Sequence, residues 1–246
     1  HYFGQKFSKA YDIKFSNREN KLDYVYQTSW GSTTRMIGAL IMVHSDDYGL
    51  VLPPKIAPRQ VVIVPVKDDV NVNTLAEDLC NKLNDNNITT YIDYSNKSAG
   101  FKFAEAEVNG IPIRIEIGPR DLNDGFITLV RRDTREKTNV FINDDVVSNV
   151  KTLLNDIQNN LYNRALERRN EMTYVAKSMD EMKEIISNHP GFVKAMWCGN
   201  KECEDKIKEI KGTKSRCIPF EQEHISDKCV CCGKDAKEMV IWGIQY

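Results

Sequence analysis

The chain has 246 residues, 41% hydrophobic and 28% charged, a length that suits two or three domains rather than one small core. Its formal net charge of -1 excludes a global basic field, so any nucleic-acid contact has to come from a local patch. The longest apolar run, Met36 to Val43, is interrupted by Gly38 and is far too short for a membrane span.

The opening His1-Tyr2-Phe3-Gly4-Gln5 carries no signal-peptide pattern and reads as the interior of a longer protein. Ser16 to Lys21 is a polar loop, and Asp23 to Thr28 is strand-like, with aromatic and β-branched residues. Trp30-Gly31-Ser32-Thr33-Thr34 is a small-residue turn leading to Arg35 and the Met36–His44 run, which its composition predicts to be buried. Those surroundings would desolvate Arg35, so the guanidinium needs an anion, and its planar fork suits a triphosphate. Pro53-Pro54 and Pro58 stop regular structure and mark a domain boundary.

From Gln60 to Val66 the pattern is that of a strand buried on both faces. Leu75, Ala76, Leu79, Cys80 and Leu83 give Asn73–Asn86 a helical apolar face. Thr89–Ile92 is a strand, Phe101–Val108 a short helix, and Asn109-Gly110 a turn. Ile111 to Ile117 alternates strictly and predicts a half-buried strand. Phe126–Arg132 and Thr138–Ile142 are two strands joined by a charged turn. This order implies an α/β sandwich with a partly parallel sheet. A long helix over Asp145–Arg169 follows, with Val146, Val150, Leu153, Leu154, Ile157 and Leu161 on one side. Ser178 to Glu181 is a capping box for a helix through Ile186.

Six of the seven cysteines fall between 198 and 232. Clustering in one polar tail points to a metal in a reducing, cytoplasmic compartment rather than to a disulfide scaffold. Cys198 and Cys203 form one pair, and Cys229, Cys231 and Cys232 offer candidates for the other. Four thiolates at these spacings suit tetrahedral Zn2+. A Cys-x-x-Cys-Gly knuckle turns at its glycine, which favours Cys232 as the fourth ligand. Cys217 is expected to serve packing.

The segment Thr28-Ser29-Trp30-Gly31-Ser32-Thr33-Thr34-Arg35, with Gly49-Leu50-Val51-Leu52-Pro53-Pro54 after it, resembles motif 3 of the class II aminoacyl-tRNA synthetases. Val61-Val62-Ile63-Val64-Pro65, Gly118-Pro119-Arg120-Asp121 and Val130-Arg131-Arg132-Asp133-Thr134 follow at the spacing of the prolyl-tRNA synthetase family, in its eukaryotic and archaeal form. The resemblance covers almost the whole chain and is weakest near 136–175.

It implies the end of an antiparallel-sheet catalytic domain over 1–58, an α/β anticodon-binding domain with a mixed five-stranded sheet over 59–160, and a small α+β zinc-binding domain over 161–246. It implies ATP contacts for Arg35 and Thr33, with Mg2+ accompanying the ATP, and proline contacts for His1 and Trp30. Anticodon reading needs hydrogen bonds to splayed bases plus phosphate contacts. Lys102, Glu105, Arg114, Arg120 and Arg132 are the candidates, of which Lys102, Arg114 and Arg120 are taken as the tRNA(Pro) contacts. The zinc ligands are taken as Cys198, Cys203, Cys229 and Cys232, although counting back from Tyr246 in family members favours Cys231. Tyr246 ends the chain as a tyrosine ends the family's chains, but Trp242-Gly243-Ile244-Gln245 replaces the usual approach to it.

The activity implied is ligation of L-proline to tRNA(Pro) through a prolyl-adenylate, by a homodimer. Motifs 1 and 2 are not in this chain, so the chain alone is not expected to activate proline. The competing expectation is a non-catalytic tRNA-binding or regulatory module, against which Trp30, Thr33 and Arg35 argue. Synthetases for threonine, glycine or histidine share the anticodon domain but not the cysteine tail or the terminal tyrosine.

Overall fold

The computed structural model describes residues 1–244; Gln245 and Tyr246, and with them the expectation for Tyr246, lie outside the described residues. The chain forms two compact units, His1–Leu154 and Asn155–Tyr246. Residues on both sides of the Pro53-Pro54 stop belong to the first unit.

The first unit opens with β1 (Tyr2–Gly4), α1 (Lys6–Ala10), β2 (Lys14–Ser16), β3 (Leu22–Tyr24) and β4 (Gln27–Thr28). β1 pairs antiparallel with β4, and β2 with β3. The single strand expected over 23–28 is therefore two. Asn17 Oδ1 accepts from the Glu19 and Lys21 amides and closes the polar loop between β2 and β3. Next come α2 (Arg35–Val43) and the hairpin of β5 (Ser45–Asp46) and β6 (Gly49–Leu50). The apolar run is helical but not buried: Met36, Ile37, Met42 and Val43 are each at least 60% exposed. Its composition records a face that requires a partner, and no described residue covers it.

The α/β part contains β7 (Val61–Pro65), α3 (Val70–Asp85), β8 (Thr90–Ile92), α4 (Ala99–Val108), β9 (Ile113–Ile117), α5 (Pro119–Asn123), β10 (Phe126–Arg131) and β11 (Lys137–Phe141). The sheet order is β11-β10-β9-β7-β8, with β7 parallel to β8 and β9, and β10 antiparallel to both neighbours. It is a mixed five-stranded sheet. Asp69 caps α3 by accepting from the Asn71 and Val72 amides, so the helix starts earlier than its apolar face suggests. Ser98 does the same for α4. β9 is buried at every residue rather than half-buried, because Arg114 packs under α4 and Glu116 is enclosed by Arg114 and Lys137.

The long α6 (Val146–Glu171) precedes the second unit's β12 (Thr173–Val175), α7 (Met179–Asn188), β13 (Phe192–Trp197), α8 (Lys201–Lys208), β14 (Thr213–Cys217) and β15 (Glu238–Ile244). The sheet order is β12-β13-β15-β14, with only the β12–β13 pair parallel. Ser178 Oγ accepts from the Glu181 amide and opens α7 as its sequence predicts. The tail is not simply polar. Trp242, Met182, Ile186, Val193 and Ile207 belong to one buried cluster, so this unit has a core of its own. Cys217, expected to pack, is exposed.

Candidate functional site

Three groups of side chains carry chemistry. The first is the cysteine set. Cys198 directly follows β13, Cys203 lies in the first turn of α8, and Cys229 and Cys232 flank a knuckle. In that knuckle the Cys229 amide donates to the Lys234 carbonyl, the Gly233 amide donates to the Cys229 carbonyl, and Gly233 turns the chain at φ +70°. The four sulfurs lie within 4.8 Å of one another, with Cys198 to Cys203 at 3.6 Å and Cys232 to Cys198 at 3.8 Å. A regular tetrahedron with metal–sulfur bonds near 2.3 Å has edges of about 3.8 Å. The donor set therefore fits a tetrahedral thiophilic ion. Cys231 packs beside the set but is not among the four.

Burial pushes the Cys203 thiol up, and the Cys232 and Cys198 sulfurs add to it. Burial likewise raises Cys229. Cys232 is exposed, and the Lys234 amide, followed by the neighbouring thiols, brings it down to about 7. An entering cation has to displace protons from the two raised thiols.

The second group lies on the face of the five-stranded sheet that α4 half covers. Register places Arg114 opposite Val130 and Glu116 opposite Thr128, with Lys137 and Asn139 next along the same face. Arg114, only 7% exposed, donates from Nε and Nη2 to Glu116 Oε1 at 3.0 and 2.8 Å. Its Nη1 donates to Glu107 Oε1 and to the Phe103 carbonyl, each at 3.3 Å, and its guanidinium lies 4.4 Å from the Phe103 ring centroid. Lys137 Nζ donates to Glu116 Oε2 at 3.0 Å.

Arg114 is thus held inside a network instead of extending a free fork. Lys102 is also buried, donating to the Asp93 carbonyl at 2.8 Å. Among the three expected tRNA contacts, Arg120 on α5 is the one with an exposed head. Phe103, Glu107, Glu116 and Lys137, which sequence reasoning passed over, make up most of the polar platform; their signal was the paired Arg-x-Glu on one face of a strand.

The third group is at the start of the chain. The Ser29 amide donates to the His1 carbonyl at 2.8 Å, and the His1 amine donates to the Ser29 carbonyl at 2.6 Å. β1–β4 pairing thereby sets His1 beside the turn that contains Trp30. The His1 ring stacks on Phe3. Trp30 is 93% exposed, so no described residue of this chain packs on its ring. Arg35 begins α2, and its amide donates to Thr33 Oγ1 at 3.3 Å. The expectation that Arg35 is desolvated does not hold: Thr33 and Arg35 are both exposed, since the bare apolar face of α2 gives them no walls.

Residues 60–153 match the family model described as the anticodon binding domain, and residues 179–246 the one described as prolyl-tRNA synthetase, C-terminal. A proline--tRNA ligase of Clostridium novyi is 51% identical over 248 residues, covering 100% of this chain and 51% of the relative. One from Lachnoclostridium phytofermentans is 53% identical over 247 residues, with 100% and 51% covered. The prolyl-tRNA synthetase of Cryptosporidium parvum, solved with L-proline and AMP, superposes with a TM-score of 0.88 at 36% identity, covering 100% of this chain and 54% of that one. The chain spans about half the length of the curated relatives it matches. Among the described residues, no helix is long and apolar enough to cross a membrane.

Proposed function

The chain belongs to the prolyl-tRNA synthetase family, and on that premise we propose that it is the carboxy-terminal half of a cytoplasmic, homodimeric enzyme that joins L-proline to tRNA(Pro). The observation that carries this reading is the end-to-end superposition on a synthetase solved with L-proline and AMP, which spans the nucleotide turn as well as the anticodon domain. The bare apolar face of α2 supports it, as a surface that packs against the half of the relatives' length that this chain does not span.

In this reading the proline carboxylate attacks the α-phosphorus of ATP, releasing pyrophosphate and forming prolyl-adenylate. A ribose hydroxyl of the terminal adenosine of tRNA(Pro) then attacks the prolyl carbonyl, forming the ester as the bond to phosphate breaks and AMP leaves. Such chemistry relies on positioning and charge stabilisation rather than on a protein nucleophile. Arg35 contributes a guanidinium to the ATP phosphates, beside the Thr33 hydroxyl, and Mg2+ arrives with the ATP. His1 and the Trp30 face flank the proline ring, their backbones already neighbours through Ser29. The domain built on the five-stranded sheet receives the anticodon, with Arg120, exposed on α5, as a phosphate contact.

Cys198, Cys203, Cys229 and Cys232 would hold Zn2+ in a structural role, tying the start of α8 to the 229–233 knuckle. When bound, the ion would supply a crosslink between these two segments.

The test is ATP–pyrophosphate exchange by the full-length protein with each candidate amino acid. Exchange that depends on proline, and not on threonine, glycine or histidine, is expected. A protein that binds tRNA but shows no exchange with proline would instead be a binding module.

A further inference from the structure

One guanidinium joins the nucleotide end of the first unit to its anticodon-side sheet. Arg132, just after β10, is 4% exposed. Its Nη1 and Nη2 donate to the two carboxylate oxygens of Asp46 at 2.8 and 2.6 Å, a bidentate pair. Its Nε donates to the Glu107 carbonyl at 3.0 Å, and the Glu107 carboxylate in turn accepts from Arg114. Asp46 lies in the β5–β6 hairpin, which follows α2 and its leading Arg35 without a break.

The same hairpin is seated by shape. Gly49, at φ +136°, lies so close to α4 that a Cβ there would be 2.4 Å from the Val108 Cα. Gly110, at φ +68°, meets Leu50 in the same way, at 2.5 Å. The Arg135 guanidinium stands 3.4 Å from the Tyr48 ring centroid. α2 therefore reaches the sheet face through a short hairpin joint held at Asp46, Tyr48, Gly49 and Leu50.

We propose that Asp46 and Arg132 are positioning residues that set the register of a bound tRNA relative to the nucleotide site. The proposal rests on the synthetase reading above. A tRNA held on the sheet face can present its far end to the adenylate only if that face and α2 keep a fixed relation. Misplacement by about 1 Å can cost about a hundredfold in rate. Proline activation involves no tRNA and makes no demand on the joint. The joint thus acts on the transfer step and leaves the activation step alone.

The test uses the full-length enzyme with Asp46→Ala and, as the conservative variant, Asp46→Glu. Asp46 is chosen because its side chain is 39% exposed and it lies in the β5–β6 hairpin, outside the five-stranded sheet. The expected result for Asp46→Ala is a fall of about tenfold or more in kcat/KM for tRNA charging, with proline-dependent exchange within about twofold of wild type. Asp46→Glu keeps a carboxylate for Arg132 and is expected to recover most of the charging. Unchanged charging in Asp46→Ala would overturn the proposal. So would charging and exchange that fall together, since that is the mark of general destabilisation. A wild-type enzyme without proline-dependent exchange would remove the synthetase reading and this role with it, a result distinct from an active wild type with an indifferent Asp46→Ala.

Discussion

Replacing Arg114 by Met removes one partner of a buried charge network while keeping the length of the side chain. Arg114 and Glu116 are both at least nine-tenths buried and share two hydrogen bonds to one carboxylate oxygen. Breaking such a pair from one side leaves an uncompensated buried charge and costs about 3–5 kcal/mol. Lys137 still contacts Glu116, but its side chain is 57% exposed, and such a contact offsets no more than about 1 kcal/mol. The expected loss is therefore about 3 kcal/mol. The readout is hydrogen exchange of the β9 and β10 amides in this chain, which should become more than about a hundredfold faster. Arg114→Met combined with Glu116→Leu removes both charges and should return to within about 1 kcal/mol of wild type, since apolar replacement of a buried pair is close to neutral. A single variant that loses less than about 1 kcal/mol, or a double variant no better than the single, would refute the reasoning.

Further outcomes follow from the same geometry. Metal analysis of the purified chain should give one zinc per chain; Cys203→Ser and Cys232→Ser should lose it, and Cys231→Ser should keep it. Because burial raises the Cys203 and Cys229 thiols, zinc affinity should weaken steadily as pH falls, in a chelator-competition titration. The Arg132 guanidinium holds the Asp46 carboxyl down at about 2, against a usual value of 3.8. A depressed carboxyl stabilises the fold above its unfolded value and loses that contribution as pH falls from about 4 through about 2. After allowance for its exposure this is about 1 kcal/mol, which Asp46→Asn should remove at pH 7 and not at pH 2 in urea titrations. Gly49→Ala places a methyl against the Val108 backbone at positive φ and should cost about 2–3 kcal/mol in the same assay.

The α/β core was the most legible part of the sequence, because its signals are local. The Val61–Pro65 run, the helical face of 73–86 and the two strands around Asp133–Lys137 each identify themselves within a few residues. The grouping of Cys198, Cys203, Cys229 and Cys232 was legible for a similar reason, since the spacings within each pair are local and a glycine follows Cys232; the structure brings these four sulfurs together. Burial was not legible where it depends on what lies opposite. Met36 to Val43 is apolar enough for a core yet lies open, and Ile113–Ile117 alternates like a half-exposed strand yet is covered on both faces. Arg114 illustrates the limit for sites. Its residue type suggested a free fork for RNA, whereas its setting between Glu107, Glu116 and Phe103 depends on a helix and two strands meeting. The second unit's strands were not placed from the sequence because they are interleaved with charged helices and pair across long separations, as Phe192–Trp197 does with Glu238–Gly243.

The most direct measurement is proline-dependent ATP–pyrophosphate exchange by the full-length enzyme carrying Arg35→Ala. Arg35 is exposed in this chain, so the substitution should leave its hydrogen-exchange protection and melting behaviour unchanged. The account predicts that exchange is lost while the fold and tRNA binding persist. Wild-type exchange in that variant would contradict the assignment of this turn to the nucleotide.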